Sequence, residues 1–225
     1  MEKSIVRPKS LRELAVDYLG NAIIDGDFEL GALLSENALS DELKISKTPI
    51  HEALVILQLR GLLEILPQRG ARIFNPSEDV LLDLCEYRLL IETRALQHAF
   101  ERNGKRLVAD LETVLAEMVS AAGDGRIKDY LRRDTDFHNL FFEHSGSPCL
   151  QAAHSQIEAR AAAVRTHIAG RNPTSRQKAF EEHKQIVELL KQGNVAEIIT
   201  SILPGHVYRL LDLFVTEHEA SKRVV

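Results

Sequence analysis

The chain has 225 residues, 44% of them hydrophobic and 27% charged, and its 28 lysines and arginines stand against 33 acidic residues for a formal charge of −5. This is the mixture of an ordinary globular protein of one or two domains, and it excludes bulk disorder. It also excludes nucleic-acid binding through a generally basic surface, so any such binding has to come from a local patch. Uncharged stretches such as 198–208 are broken by Thr, Ser, Pro, Gly or His, which predicts no membrane span. The first ten residues lead into Arg12, Glu13 and Asp17 rather than an apolar signal segment, so a cytoplasmic location is expected. Cys85 and Cys149, in apolar surroundings and without a CxxC pair, read as buried free thiols.

Lys3, Arg7 and Lys9 form a short basic arm. Leu11, Leu14, Ala15, Tyr18, Leu19, Ala22 and Ile23 then recur at helical spacing and predict an amphipathic helix ending near Asp25-Gly26. A second, short helix is expected from Ser35-Glu36 through Leu43. A third is capped by Ser46 or Thr48, has Pro49 in its first turn, and buries Ile50, Ala53, Leu54 and Leu57. Two strand-like runs, 62–66 and 71–74, flank the hairpin chemistry of Pro67-Gln68-Arg69-Gly70. Three helices and a hairpin describe a winged helix-turn-helix over residues 1–75, followed from Pro76 by a second domain.

Residues 76–225 show helical spacing throughout, over about 77–102, 105–122, 126–145, 147–169, 174–192 and 194–219, which predicts an all-α antiparallel bundle. The fold class is therefore mainly α.

A helix-turn-helix lays the leading end of its second helix into the major groove. Here that end is Ser46, Lys47, Thr48 and His51, with Lys47 and His51 on one face where they can meet guanine acceptors or phosphates. Arg69 and Gly70 at the hairpin tip suit a neighbouring minor groove. Residues 44–72 carry five Lys and Arg against two acidic residues, so the positive part of an acidic chain lies where DNA would be read. A winged helix that binds protein is the alternative reading.

In the bundle, Asp134 and His138 share a helical face, and His183 and His206 each sit in an apolar series on other helices. Three imidazoles and a carboxylate on inward stripes suit a divalent transition metal; core histidines satisfied by their neighbours are the alternative. A metal-dependent hydrolase or a non-DNA-binding adaptor using these residues would be a different class of function, but no HExxH pair supplies a general base.

The runs Leu33-Leu34-Ser35-Glu36-Asn37-Ala38-Leu39 and Ile45-Ser46-Lys47-Thr48-Pro49-Ile50-His51-Glu52-Ala53-Leu54, with Gly61-Leu62-Leu63 and Arg69-Gly70, resemble the DNA-binding domain of the GntR family of bacterial regulators. The resemblance implies binding to double-stranded, palindromic operator DNA as a homodimer, with no membrane partner, and adds Asn37 to the DNA-facing set. Family members commonly have Arg where this chain has Asn37, Lys47 and His51. Lys lacks the forked guanidinium and His is only partly charged at neutral pH, which implies an altered operator preference.

Arg88-Leu89-Leu90-Ile91-Glu92, Asp134-x-x-Phe137-His138, Glu182-His183 and the late His206 are similar to the FCD effector-binding domain of that family's FadR-like branch. This implies a repressor rather than an enzyme. Asp134, His138, His183 and His206 become ligands of zinc or nickel, and Arg88 the partner of a small carboxylate effector. His183 and His206 stand one residue further apart than the family pattern, with Pro204-Gly205 just before the second. A local helical bulge would restore the facing of His206, which otherwise rotates by about 100°.

Overall fold

The computed structural model describes residues 8–222, with side chains as far as residue 216. Lys3 and Arg7 of the basic arm, and His218, lie outside these; Lys9 pairs with Asp17 at 2.6 Å. The chain divides between Asn75 and Pro76 into two compact units.

In the first unit, α1 (Leu11–Ile24) opens on a capping box in which Ser10 Oγ accepts the Glu13 N–H and the Glu13 carboxylate accepts the Ser10 N–H. Its buried stripe is Ala15, Val16, Leu19, Ala22 and Ile23, whereas Leu11, Leu14 and Tyr18 are about half exposed, contrary to the periodicity. Gly20 explains the rotation. A Cβ there would lie 3.3 Å from Leu57, so the helix turns its smallest residue toward its partner. Helix α2 (Glu36–Leu43) is capped by Ser35 and stops at Lys44 in the left-handed region. Helix α3 (Lys47–Leu59) follows Ser46, which makes no side-chain cap bond, and buries Ile50, Ala53, Leu54 and Leu57 completely.

The wing pairs β2 (Leu63–Leu66) with β3 (Gly70–Ile73), and β3 also pairs with β1 (Leu33–Leu34), all antiparallel. Strand β1 escaped the sequence reading because two residues carry no alternation. It changes the meaning of Gly70. With φ +90° and a Cβ that would stand 2.1 Å from the Leu34 carbonyl oxygen, this position needs glycine for the sheet itself, whatever DNA requires. Gly70→Ala is expected to destabilise the unit by about 1–3 kcal/mol through forced backbone strain and loss of β1 pairing. Urea unfolding measures it, and an unchanged midpoint would contradict the close approach of β1 to β3.

In the second unit, α4 (Glu78–Gly123) merges the two helices expected over 77–122, bending at Asn103 (φ −139°, ψ 27°), whose Nδ2 donates to the His144 carbonyl. It packs along α5 (Ile127–His144) and against α8 (Pro173–Lys191) and α10 (Leu203–Lys222). The expected helix 147–169 is divided into α6 (Pro148–Ser155), α7 (Glu158–Val164) and a π-helical turn, Arg165–Ala169. Between α8 and α10 lie α9 (Val195–Glu197) and a second π-helical turn, Ile198–Ile202. Phe137, Phe141, Leu96, Leu107 and Leu111 are fully buried in the core. Cys85 is buried, but Cys149, just inside the start of α6, is exposed, which corrects the expectation for that thiol.

The stretch Val195–Thr216 reaches a mean hydropathy of 1.3 over a membrane-length window, contrary to the expectation that no segment approaches a span. Its Ser, Thr, Pro and Gly interruptions weigh little against so many Ile, Leu and Val. In the structure it turns Leu203 and Val207 into the core and buries His206 and Arg209.

Candidate functional site

Four helices of the bundle each contribute a pair of polar residues close in sequence. Helix α4 carries Arg88 and Glu92, α5 carries Asp134 and His138, α8 carries Glu182 and His183, and α10 carries His206 and Arg209. The i, i+3 and i, i+4 spacings put three of these pairs on single helical faces. The π-helical turn ahead of Pro204 takes up the extra residue before His206, whose Nε2 lies 3.2 Å from His183 Nε2 and 3.1 Å from His138 Nε2. All three rings are buried.

Carboxylates behind the rings set the tautomers. His138 Nδ1 is 2.9 Å from Glu92 Oε2 and His206 Nδ1 is 2.7 Å from Glu182 Oε2, so each Nδ1–H donates outward and each Nε2 keeps its lone pair. Arg209 also lies 2.9 Å from His206 Nδ1, but its guanidinium is bound to the same Glu182 carboxylate, and we assign the imidazole proton to Glu182. His183 is held by stacking on Phe137, with ring centroids 4.1 Å apart. Asp134 borders the triad, with Oδ1 3.9 Å from His183 Nε2 and Oδ2 3.1 Å from Arg165 Nε.

The electrostatics keep the rings neutral. Burial lowers His138 and His206 to about 4 and His183 to about 3, outweighing the neighbouring carboxylates. Burial by itself would raise Glu182, yet hydrogen bonds from His206 and Arg209 bring it down to about 2. Burial by itself would also raise Glu92 and Asp134, yet both are lowered, Glu92 chiefly by the charge of Arg88 and Asp134, with the rings neutral, by the charge of Arg165.

The Nε2 lone pairs of His138 and His206 face each other at 3.1 Å and repel unless a cation lies between them. The 3.1 and 3.2 Å separations approach the roughly 3.3 Å expected between nitrogens about 2.0–2.1 Å from one tetrahedral ion. The donor set therefore fits a borderline divalent metal, with His138, His183 and His206 as the close group and Asp134 drawn partly toward Arg165.

Beside the triad, Arg88, Asp134, Arg165, Ser175, Arg176 and Arg209 line a cavity of about 30 Å³. Arg88, expected to meet an effector, donates Nε to Glu92 at 2.8 Å and leaves a buried Nη2 without a hydrogen-bond partner. Glu92, Arg165, Ser175, Arg176, Glu182 and Arg209 join the site in addition to the residues expected from sequence. The spacing of Arg88 to Glu92 and of His206 to Arg209 signalled two of these; nothing local signalled Arg165. His98, His144, His154 and His167 stand outside the triad; His144 pairs with Asp110 and His154 stacks on Phe142.

In the first unit Asn37, Ser46, Lys47, Thr48, His51 and Arg69 are all exposed, and Gly70 is half-buried. A surface cleft joins Asn37 and His51 to the wing residues Gln68, Arg69 and Gly70. His51 Nδ1 lies 2.8 Å from Glu36 Oε1, so the ring is oriented by its neighbour and only Nε2 is available to a groove.

Residues 83–202 match the FCD domain family and residues 11–73 the family of bacterial regulatory proteins, gntR family. The gluconate operon transcriptional repressor of Bacillus licheniformis is 32% identical over 116 residues, 52% of this chain. The match spans about half, 47%, of that relative's length. HTH-type transcriptional repressor NanR of Klebsiella aerogenes is 25% identical over 215 residues, 84% of this chain and 80% of its own. Among solved structures, E. coli McbR/YncC has the same fold, with a TM-score of 0.74 at 18% identity, covering 96% of this chain and 100% of that one.

Proposed function

The chain belongs to the gntR family of bacterial regulatory proteins and carries that family's FCD domain, and from this premise we propose that it is a transcriptional repressor that binds a palindromic operator as a homodimer and releases it in response to a small carboxylate. The first unit reads DNA through Ser46, Lys47, Thr48 and His51 on α3, with Asn37, Arg69 and Gly70 alongside. Val80, Tyr87 and Leu90 form an exposed apolar stripe at helical spacing on α4, with Leu90 69% exposed, and this face supports dimerisation. The repressor names of the relatives from Bacillus and Klebsiella agree with this direction of control.

The observation that carries the sensing role is the cavity beside the histidine triad, where Arg88 keeps a buried guanidinium nitrogen without a partner. His138, His183, His206 and Asp134 would hold the metal, zinc or nickel, which supplies a Lewis-acidic anchor for a carboxylate oxygen. Glu92 and Glu182 hold the Nδ1 protons of His138 and His206, so that the inward nitrogens stay unprotonated. Arg88 offers its remaining N–H to the ligand. An effector regulates only if its affinity differs between the DNA-competent and DNA-incompetent arrangements.

Selection of bound fragments from genomic DNA, followed by mobility shifts on the recovered site, tests the proposal; binding without salt dependence, or none, would overturn it. On that site Lys47→Ala is expected to weaken binding and to lower the slope of log affinity against log salt by about one. His51→Ala on the same site reads the second side chain of that face: weaker binding is expected, and equal affinity would remove His51 from the DNA contact.

A further inference from the structure

We propose that the effector carries two anionic groups, one met at depth by Arg88 and the other by Arg176 at the cavity mouth, with the buried hydroxyl of the adjacent Ser175 as a further donor. The proposal rests on the sensing role argued above and narrows the ligand class to dicarboxylates.

The cavity's charges are unevenly matched. Arg88 is paired with Glu92, Arg165 with Asp134 and Arg209 with Glu182. Arg176 makes no ion pair among the described residues; its Nη1 donates to the Gly170 carbonyl. One uncompensated cation therefore lines a small cavity, and it is half-buried. Two further groups ask for an acceptor. Arg88 Nη2 and Ser175 Oγ are buried without a hydrogen-bond partner, in residues 2% and 4% exposed. Each such group costs on the order of 1–3 kcal/mol when left unsatisfied, which a ligand oxygen offsets.

These donors belong to different walls, Arg88 on α4 and Ser175 and Arg176 on α8. Arg176 and Tyr130 also line the open cleft outside, together with Met118, Ile127 and Phe180, so they mark the mouth while Arg88 marks the floor. A monocarboxylate satisfies one end; an acid with a carboxylate at each end satisfies both. The cavity volume of about 30 Å³ holds little more than a water molecule, so entry requires Arg176 to leave the Gly170 carbonyl. It exchanges a bond to a neutral acceptor for a stronger, charge-assisted bond to a carboxylate.

The test is calorimetry on the zinc-loaded full-length protein with matched acids: succinate against butyrate, and malonate against propionate. At least one dicarboxylate is expected to bind about tenfold or more tightly than its monocarboxylate partner. Arg176→Gln is expected to lower dicarboxylate affinity about tenfold while leaving monocarboxylate affinity unchanged; Arg176→Lys retains part of the preference, and Ser175→Ala loses less. Thermal unfolding of each variant checks its fold. Equal binding of the paired acids, or equal weakening of both by Arg176→Gln, overturns the second anionic contact while leaving carboxylate sensing intact. Binding of neither kind overturns both.

Discussion

His183→Ala is expected to lose metal binding by more than the roughly 10–100-fold that removal of a supporting carboxylate brings. Supplied zinc or nickel should bind the parent at one ion per chain, and Glu92→Gln, which replaces the charged acceptor behind His138 with a neutral amide, should fall within that 10–100-fold range. Competition against a chromophoric chelator measures both, and a parent that takes up no supplied metal removes the site. The same geometry sets a pH dependence. The three histidines sit at about 3 to 4 in the fold, against 6.5 for an exposed imidazole, so the unfolded chain binds more protons between those values. Stability conferred by the neutral rings is thus full above about pH 6.5 and declines as the pH falls toward 3–4. Glu182, at about 2, stays ionised through most of that range and loses its own contribution only below about 4.5. The metal-free protein should therefore melt at progressively lower temperature from pH 7 to pH 4. Metal at 100 times its dissociation constant should add about 2.7 kcal/mol near neutrality, a gain lost in acid as protons compete for Nε2. A flat melting profile across this interval would mean that the rings are not held neutral.

Arg88→Ala should cost about 3–5 kcal/mol, because it strands the Glu92 carboxylate in the core with His138 as its remaining partner. Arg88 and Glu92 side chains are 2% and 3% exposed, so water does little to compensate. Replacing both, as Arg88→Met with Glu92→Gln, should recover most of the loss, since a missing buried pair is far cheaper than a broken one. Urea unfolding of the two single variants and the double variant gives the coupling. A cost below about 1 kcal/mol for Arg88→Ala would show that the pair is not what keeps Glu92 ionised. The cycle also separates two roles of Arg88, because its effect on folding appears without ligand, whereas a contact to the effector appears only in binding.

The sequence alone determined whatever depends on neighbours within about one helical turn. Helix α3 and its buried Ile50, Ala53, Leu54 and Leu57, the wing turn at Pro67 to Gly70, and the inward stripes bearing His138, His183 and His206 are all read from spacing, because 3.6-residue periodicity is local. Even there, α1 shows the limit: its stripe is rotated by the close approach of Gly20 to Leu57, a contact 37 residues away in sequence. The tertiary structure decided what local pattern cannot carry. It supplied β1, whose two residues are a strand only by pairing with β3, and so the reason position 70 is glycine. It also supplied the π-helical turn that swings His206 toward His138 and His183, the carboxylates that orient two of those rings, and the unmatched charge of Arg176. Glu92 meets His138 across 46 residues and Glu182 meets His206 across 24. Such partners are chosen by which helix faces pack together, and that choice depends on burying the whole apolar core at once rather than on any one segment.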